Sequence, residues 1–162
     1  MKYMERLTKK EGFTILELVM VIVILGILAA AISFKWSKST FGLSTQAELL
    51  VNDLRYTQNL SMSRNKQFSW EKTSANTYTI KDDDNNAVLN SINLATTTLA
   101  PDITFGGTVT YNKITFDTKG VPYNGTVTSP VALTSNATIP LVMNGKSINV
   151  IIEPETGRIY IQ

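Results

Sequence analysis

The stretch that decides the fold runs from Lys10 to Ala30 and reads KEGFTILELVMVIVILGILAA. The twenty residues from Phe13 to Ile32 are almost wholly apolar. As a helix they rise about 30 Å, the thickness of a hydrocarbon core. A carboxylate at the centre of such a span costs roughly 2.5 kcal/mol or more. The sequence therefore predicts a membrane helix over 13–32 in which Glu17 needs a partner.

The order Lys-Glu-Gly-Phe-Thr-Ile-Leu-Glu, followed by the apolar run, resembles the class III leader and first helix of type IV pilins and pseudopilins. The resemblance implies that residues 1–12 form a leader peptide, which a prepilin peptidase removes between Gly12 and Phe13. It also implies N-methylation of the new amine of Phe13. Glu17 would then pair with the N-terminal amine of a neighbouring subunit during assembly. Such pairing neutralises two charges that are each costly in lipid.

Two other interpretations of this segment remain open. A secretory signal peptide also has a basic start and an apolar run, and Ala29-Ala30-Ala31 could serve as its cleavage site. The run is long for a signal, however, and a glutamate inside it is unexpected. A plain single-span anchor explains the length of the run but explains neither Gly12 nor Glu17. The pilin-like leader is favoured because it accounts for all three features.

The charge balance predicts on which side of the membrane the chain lies. Of 15 Lys and Arg and 13 Asp and Glu residues, the leader holds four basic and two acidic ones, which leaves eleven of each. Because basic residues stay on the cytoplasmic side, the chain after Ile32 is expected in the periplasm. The expected localisation is the bacterial inner membrane, with a single pass and later incorporation into a pilus or pseudopilus.

Composition removes the commonest catalytic groups. The chain has neither cysteine nor histidine, which excludes thiol chemistry and an imidazole base. No glycine loop suited to phosphate is present. We therefore predict that the protein is not an enzyme and uses no cofactor.

Residues 33–66 are predicted to continue the helix as its amphipathic second half. Lys35 and Trp36 suit a membrane interface, Gly42 is the weak point, and the helix should end near Asn65. The buried stripe is predicted at Ala47, Leu50, Val51, Leu54 and Ser61, with Glu48, Asn52, Asp53, Arg55 and Asn59 on other faces. Many major pilins carry a proline soon after the apolar segment, whereas this chain has none before Pro101. That departure favours a minor subunit.

Residues 67–162 are rich in threonine, valine and isoleucine and are predicted to form a globular, β-rich periplasmic domain. The candidate strands are 68–71, 78–81, 91–94, 109–111, 114–117, 131–133, 139–143, 147–152 and 158–161. Asn144-Gly145 signals a two-residue hairpin, and Thr156-Gly157 signals a turn. The core candidates are Ile80, Ile114, Phe116, Ile148, Val150, Ile152 and Ile159. The predicted class is α+β, with one long N-terminal helix packed on a mainly antiparallel sheet.

Three blocks extend the resemblance: residues 47–65, residues 114–120 and the closing run from Ile148 to Tyr160. They are similar to the GspH/FimT family of minor pseudopilins. The resemblance implies a structural subunit in the tip or priming complex of a type II secretion pseudopilus or a type IV pilus. Expected partners are other pilin or pseudopilin subunits, the prepilin peptidase, the inner membrane and the inner-membrane assembly platform. A DNA-binding minor pilin for natural transformation and a major filament subunit are the alternatives.

The sequence offers little for binding nucleic acid or a metal ion. Some FimT-type relatives bind DNA in natural transformation through clustered basic residues near the C-terminus. Here only Lys146 and Arg158 are candidates for weak DNA contact, so nucleic acid is not an expected partner. Asp82-Asp83-Asp84 does not fit a calcium-loop template, because a glycine and a final glutamate are missing. A solvated turn is the favoured interpretation, and no metal is expected.

Overall fold

The computed structural model describes residues 14–35, 38–107, 109–126 and 129–162. Side chains are described for 14–27, 42–107, 109–125 and 131–162. The chain divides into two compact units, Met1–Ser37 and Lys38–Gln162. The predicted leader, the cleavage position at Gly12 and Phe13, and the predicted interface role of Lys35 and Trp36 lie outside the described residues or side chains.

Two helices occupy the first part of the chain. Helix α1 spans Ile15–Lys35 and helix α2 spans Lys38–Arg64. The predicted end near Asn65 is confirmed, and Asn65 adopts the positive φ of 51° that commonly terminates a helix. Gly42, the predicted weak point, lies inside α2. Residues 36–37 are outside the described ranges, so a single continuous helix stays a prediction.

The rest of the second unit is β-structure in two antiparallel sheets. The strands are β1 Phe68–Lys72, β2 Thr77–Lys81, β3 Ala87–Val88, β4 Thr97–Thr98, β5 Thr104–Phe105, β6 Lys113–Phe116, β7 Pro122–Thr126, β8 Ser129–Ala132, β9 Ala137–Met143, β10 Lys146–Ile152 and β11 Ile159–Ile161. Sheet A has the order β3-β2-β1-β6-β7-β8, with β4 also paired to β2, and sheet B has the order β11-β10-β9-β5. The predicted α+β class is confirmed.

Most of the strongly patterned strands are confirmed, but two are wrong. Residues 91–94 form a turn, because the Asn90 side-chain oxygen accepts hydrogen bonds from the amides of Ile92 (3.1 Å) and Leu94 (2.8 Å) and so closes the backbone. Residues 109–111 form no strand, although the Thr110 amide donates to the Thr138 carbonyl at 3.1 Å. Sequence reasoning missed the short strands β3, β4 and β5 and also the five-residue β7.

The core lies between α2 and the two sheets. The predicted stripe of Ala47, Leu50, Val51, Leu54 and Ser61 is buried. Six of the seven predicted core residues are buried as well. The seventh, Ile148, is only partly buried and packs against the edge of the core. Trp70 and Tyr78 from sheet A meet Phe105 from sheet B at ring-centroid distances of 5.8 and 6.2 Å. The sheets and helix therefore share one core.

The predicted hairpin at Asn144-Gly145 is confirmed. Both residues have positive φ, 50° and 76°, as a two-residue type I′ turn requires. The turn sets Met143 opposite Lys146, and the register then continues to Ala137 opposite Ile152. This register turns Ile139, Leu141, Val150 and Ile152 towards the core.

Candidate functional site

The described chain begins with a helix cap that involves the predicted assembly residue. The amide of Glu17 donates to Thr14 Oγ1 at 3.3 Å, and the amide of Leu18 donates to the Thr14 carbonyl at 3.2 Å. Thr14 therefore caps α1, and Glu17 lies in its first turn. A carboxylate is favourable there because unpaired amides and the helix dipole make that end positive. Glu17 is exposed and so is accessible to a partner chain.

Apart from Glu17, the described side chains of α1, residues 15–27, are apolar on every side. Residues 14–27 are all exposed, and the exposed fraction of their large hydrophobic side chains runs from 46% at Val21 to 83% at Ile15. A helix that is hydrophobic all round is normally buried in lipid or among other helices. Within the described part of the chain, no helix is both long and apolar enough to cross a bilayer. The described part of α1 nevertheless presents an apolar surface with one carboxylate near its start.

A buried polar cluster joins α2 to sheet A and to the loop after β3. Its members, here called the Asp53 cluster, are Asp53, Tyr78, Asn90 and Ser91. Asp53 accepts from the Tyr78 hydroxyl at 2.7 Å, from Asn90 Nδ2 at 3.1 Å, and from the amide (3.3 Å) and hydroxyl of Ser91. These four hydrogen bonds fill the acceptor capacity of a carboxylate. The cluster is therefore a structural junction, because Asp53 has no acceptor position left for a proton from a substrate.

The prediction that Asp53 lies on another face of the helix is wrong. Its exposed fraction is only 2%, since it lies three residues after Leu50 and four before the buried Thr57. That spacing places it on the edge of the apolar stripe. Burial raises the pKa of the Tyr78 hydroxyl well above its usual range, and the adjacent Asp53 carboxylate adds to the rise. Tyr78 therefore stays protonated and donates to Asp53.

A second set of contacts fastens α2 to turns of both sheets. Gln58 Nε2 donates to the carbonyl of Gly120 at 2.8 Å and to that of Gly157 at 3.1 Å. Gly120 follows sheet A strand β6, and Gly157 precedes sheet B strand β11. Arg55 Nη2 donates to the carbonyl of Ile159 at 2.7 Å. Polar side chains on α2 thus connect the two sheets, which have no strand pairing with each other in the described chain.

The two candidate DNA contacts are not brought together. Lys146 begins β10, whereas Arg158 lies beyond the other end of that strand, next to β11. Six residue steps along β10 span about 20 Å. The Arg158 guanidinium lies 5.3 Å from the Tyr160 ring centroid, so this tyrosine packs against a cation two residues before it in the chain. Several adjacent cations are needed for phosphate binding, and this pair does not supply them.

The acidic triplet lies in a turn, as predicted. The carboxylates of Asp82, Asp83 and Asp84 offer oxygens within 4.8 Å of one another between β2 and β3. Asp82 accepts from the amide of Asn86 at 2.7 Å, and Asp83 pairs with Lys66 at 3.4 Å. These contacts are typical of a turn whose side chains accept hydrogen bonds from its own backbone amides.

Comparisons with known proteins agree with this geometry. Residues 7–33 match the prokaryotic N-terminal methylation motif, and residues 46–155 match the family described as type II transport protein GspH. Two crystal forms of the type IV minor pilin FimU from Pseudomonas aeruginosa strain PAO1 are similar in structure, with TM-scores of 0.54 and 0.53. Both are 20% identical to this chain; each alignment covers 74% of it, and 87% and 92% of the respective FimU chains. No curated protein sequence matches.

An apolar N-terminal helix with a capped acidic first turn, followed by a helix packed on antiparallel sheets, defines a pilin-like protein. The GspH match covers more than half of the chain. The chain therefore belongs to the GspH family of minor pilins and pseudopilins, and it carries the N-terminal methylation motif of that class.

Proposed function

We propose that this chain is a minor structural subunit in the tip or priming complex of a type II secretion pseudopilus or a type IV pilus. It works by assembly and not by catalysis. The observation that carries the proposal is the first turn of α1, where Glu17 is exposed at the start of a helix with apolar side chains all round. Such a surface is stable only when lipid or other helices cover it.

The proposed maturation follows from the N-terminal methylation motif. A prepilin peptidase cleaves between Gly12 and Phe13, and the amine of Phe13 is methylated. Residues 13–32 hold the chain in the inner membrane while the second unit lies in the periplasm. The assembly platform then adds the subunit to other pilin-like subunits. The Phe13 amine of one subunit pairs with Glu17 of its neighbour, so each charge is neutralised only in the assembled state.

Glu17→Ala tests the role in assembly. Cleavage occurs upstream of Glu17, so the mature N-terminus found by mass spectrometry should still be Phe13. Recovery of the chain in sheared filaments should fall by more than about tenfold, because an amine left unpaired in lipid costs several kcal/mol. Glu17→Asp, which keeps the charge, should retain part of the incorporation.

Thr14→Ala is the matched control for helix capping. It removes the Thr14 side-chain contact with the Glu17 amide, at a cost of about 1 kcal/mol, but leaves the carboxylate in place. If Thr14→Ala and Glu17→Ala reduced incorporation equally, Glu17 would act through the helix end and not through a partner's amine. Normal filaments with Glu17→Ala would remove the assigned role altogether.

A further inference from the structure

Sheet B ends in β11, and the outer side of this strand is an open sheet edge. In the described chain β11 pairs with β10 alone. Asn149 and Gln162 exchange both of their backbone hydrogen bonds, at 3.1 and 2.8 Å. Because such bonded pairs alternate along an antiparallel ladder, the N–H and C=O groups of Ile159 and Ile161 point away from β10. These two residues therefore form the open edge of sheet B.

Two side chains of α2 lie against this edge. Arg55 Nη2 donates to the outward carbonyl of Ile159 at 2.7 Å, and Gln58 Nε2 donates to the carbonyl of Gly157 at 3.1 Å. Arg55 and Gln58 are three residues apart and so are neighbours on one face of the helix. Together they occupy two of the carbonyl groups that an added strand would use as acceptors.

The residues of β11 make this edge suitable for pairing with another strand. Ile159, Tyr160 and Ile161 are β-branched or aromatic, which favours strands, and none of them is charged. An unpaired edge of this kind is a template for another chain, and native proteins blunt such edges with proline, with charge or with a covering element. Arg55 is exposed, so it brings both a hydrogen-bond donor and a positive charge to the edge.

The other sheet edges are blunted by different means. β8, at one edge of sheet A, contains Pro130, which has no N–H to donate. β3 and β4, at the opposite edge, are only two residues long. At the far edge of sheet B, the amide of Phe105 on β5 donates to the carbonyl of Ala75 at 2.8 Å. β11 contains no proline, and among the described residues its edge is covered by the side chains of α2.

We propose that Arg55, supported by Gln58, is an edge guard that prevents β11 of one chain from pairing with β11 of a second copy. A second copy is the partner to exclude, because an edge strand can pair antiparallel with its own copy about a two-fold axis. Each copy would also bring its own Arg55, so the two positive charges would repel. The edge guard does not rest on the proposed function, because it concerns association of copies in any setting.

Sedimentation equilibrium of the full-length chain in detergent micelles tests the proposal. Arg55→Ala removes the charge and the donor, and it should raise the association constant of two copies about tenfold, since strand pairing adds several backbone hydrogen bonds. Asn59→Ala is the matched control, because Asn59 is exposed one turn further along α2, and it should leave the association constant unchanged. Any association through α1 is common to all of these chains.

A second substitution shows whether the association uses the edge. Ile161→Pro removes an outward N–H that the ladder with β10 does not use, so Arg55→Ala combined with Ile161→Pro should associate as weakly as the unsubstituted chain. Association that persists in this double variant, or no rise with Arg55→Ala, would overturn the edge guard. Arg55→Met, which keeps the aliphatic stem, should behave as Arg55→Ala does. Loss of the folded circular dichroism signal in both single variants would make Arg55 a residue of the fold and would also overturn the proposal.

Discussion

Asp53 shows how a single side chain determines the shape of this domain. It is a buried acid at the edge of an apolar stripe, and its burial would be costly without the hydrogen bonds that surround it. Tyr78 comes from a strand, and Asn90 and Ser91 come from a loop. The same residue therefore fixes the distance between helix and sheet and the position of the loop after β3.

Asp53→Ala should lower the free energy of unfolding of the unit Lys38–Gln162 by about 3 kcal/mol. The reason is that the Tyr78 hydroxyl and the Asn90 amide lose an acceptor while they remain buried. Urea denaturation monitored by fluorescence would measure the change. Asn52→Ala, on the adjacent exposed position, should change stability by less than about 0.5 kcal/mol. Equal effects of the two variants would contradict the structural role of the cluster.

Tyr78 should make the domain sensitive to alkali. Its pKa is raised in the folded state, whereas in the unfolded chain the value is about 10. Its contribution to stability is therefore constant below pH ~10 and is lost as the pH rises further, since only the unfolded chain then releases the proton. The loss should approach about 1.4 kcal/mol per pH unit. The free energy of unfolding, measured by urea titration between pH 8 and 11, should fall less steeply with pH for Tyr78→Phe than for the unsubstituted chain. Identical slopes for the two chains would show that Tyr78 does not cause the loss of stability in alkali.

At the scale of elements, the sequence pattern predicted the helices, turns and strands that depend on residues close together in the chain. Helix α2, the Asn144-Gly145 hairpin and the long strands β9 and β10 were predicted because periodicity and turn chemistry are local. The segment 91–94 was mispredicted because its apolar residues alternate as in a strand, while the Asn90 side chain closes a turn. The two-residue strands β3, β4 and β5 are too short to show an alternation of apolar and polar residues.

The turn before β11 gives a test at this scale. Gly157 has φ of 64°, and a Cβ there would collide with the Gly120 carbonyl and with Gln58 Nε2. Gly157→Ala should therefore lower the thermal midpoint strongly, with a cost above about 3 kcal/mol. Gly145 is the matched control, because its φ is 76° but its surroundings are open. Gly145→Ala should cost only about 1 kcal/mol, and a similar loss at both positions would show that φ alone matters.

For the whole molecule, the class was predictable from the first thirty residues, and the site was predictable only in part. Glu17 was singled out because an acid in an apolar run stands out by itself, and its role in assembly stays a prediction. The Asp53 cluster was missed because its other members lie 25 to 38 residues from Asp53, and only the folded chain brings them together.

The charge distribution of the whole domain predicts weak interaction with DNA. Lys146 and Arg158 lie at opposite ends of β10, so a gel-shift assay of the unit Lys38–Gln162 at physiological salt should show no micromolar binding. Arg158→Ala should leave the result unchanged. Micromolar binding that Arg158→Ala weakens would instead favour a direct role in DNA uptake.

The connection of Arg55 to Ile159 has a consequence for biosynthesis. The two residues are 104 positions apart, and chains are synthesised at about 5–20 residues per second. The stripe of α2 therefore emerges roughly 5–20 s before the strand that completes its cover. During that interval Leu50 and Leu54 lack part of their cover and are open to association with other chains, so a chaperone would find its binding segment there.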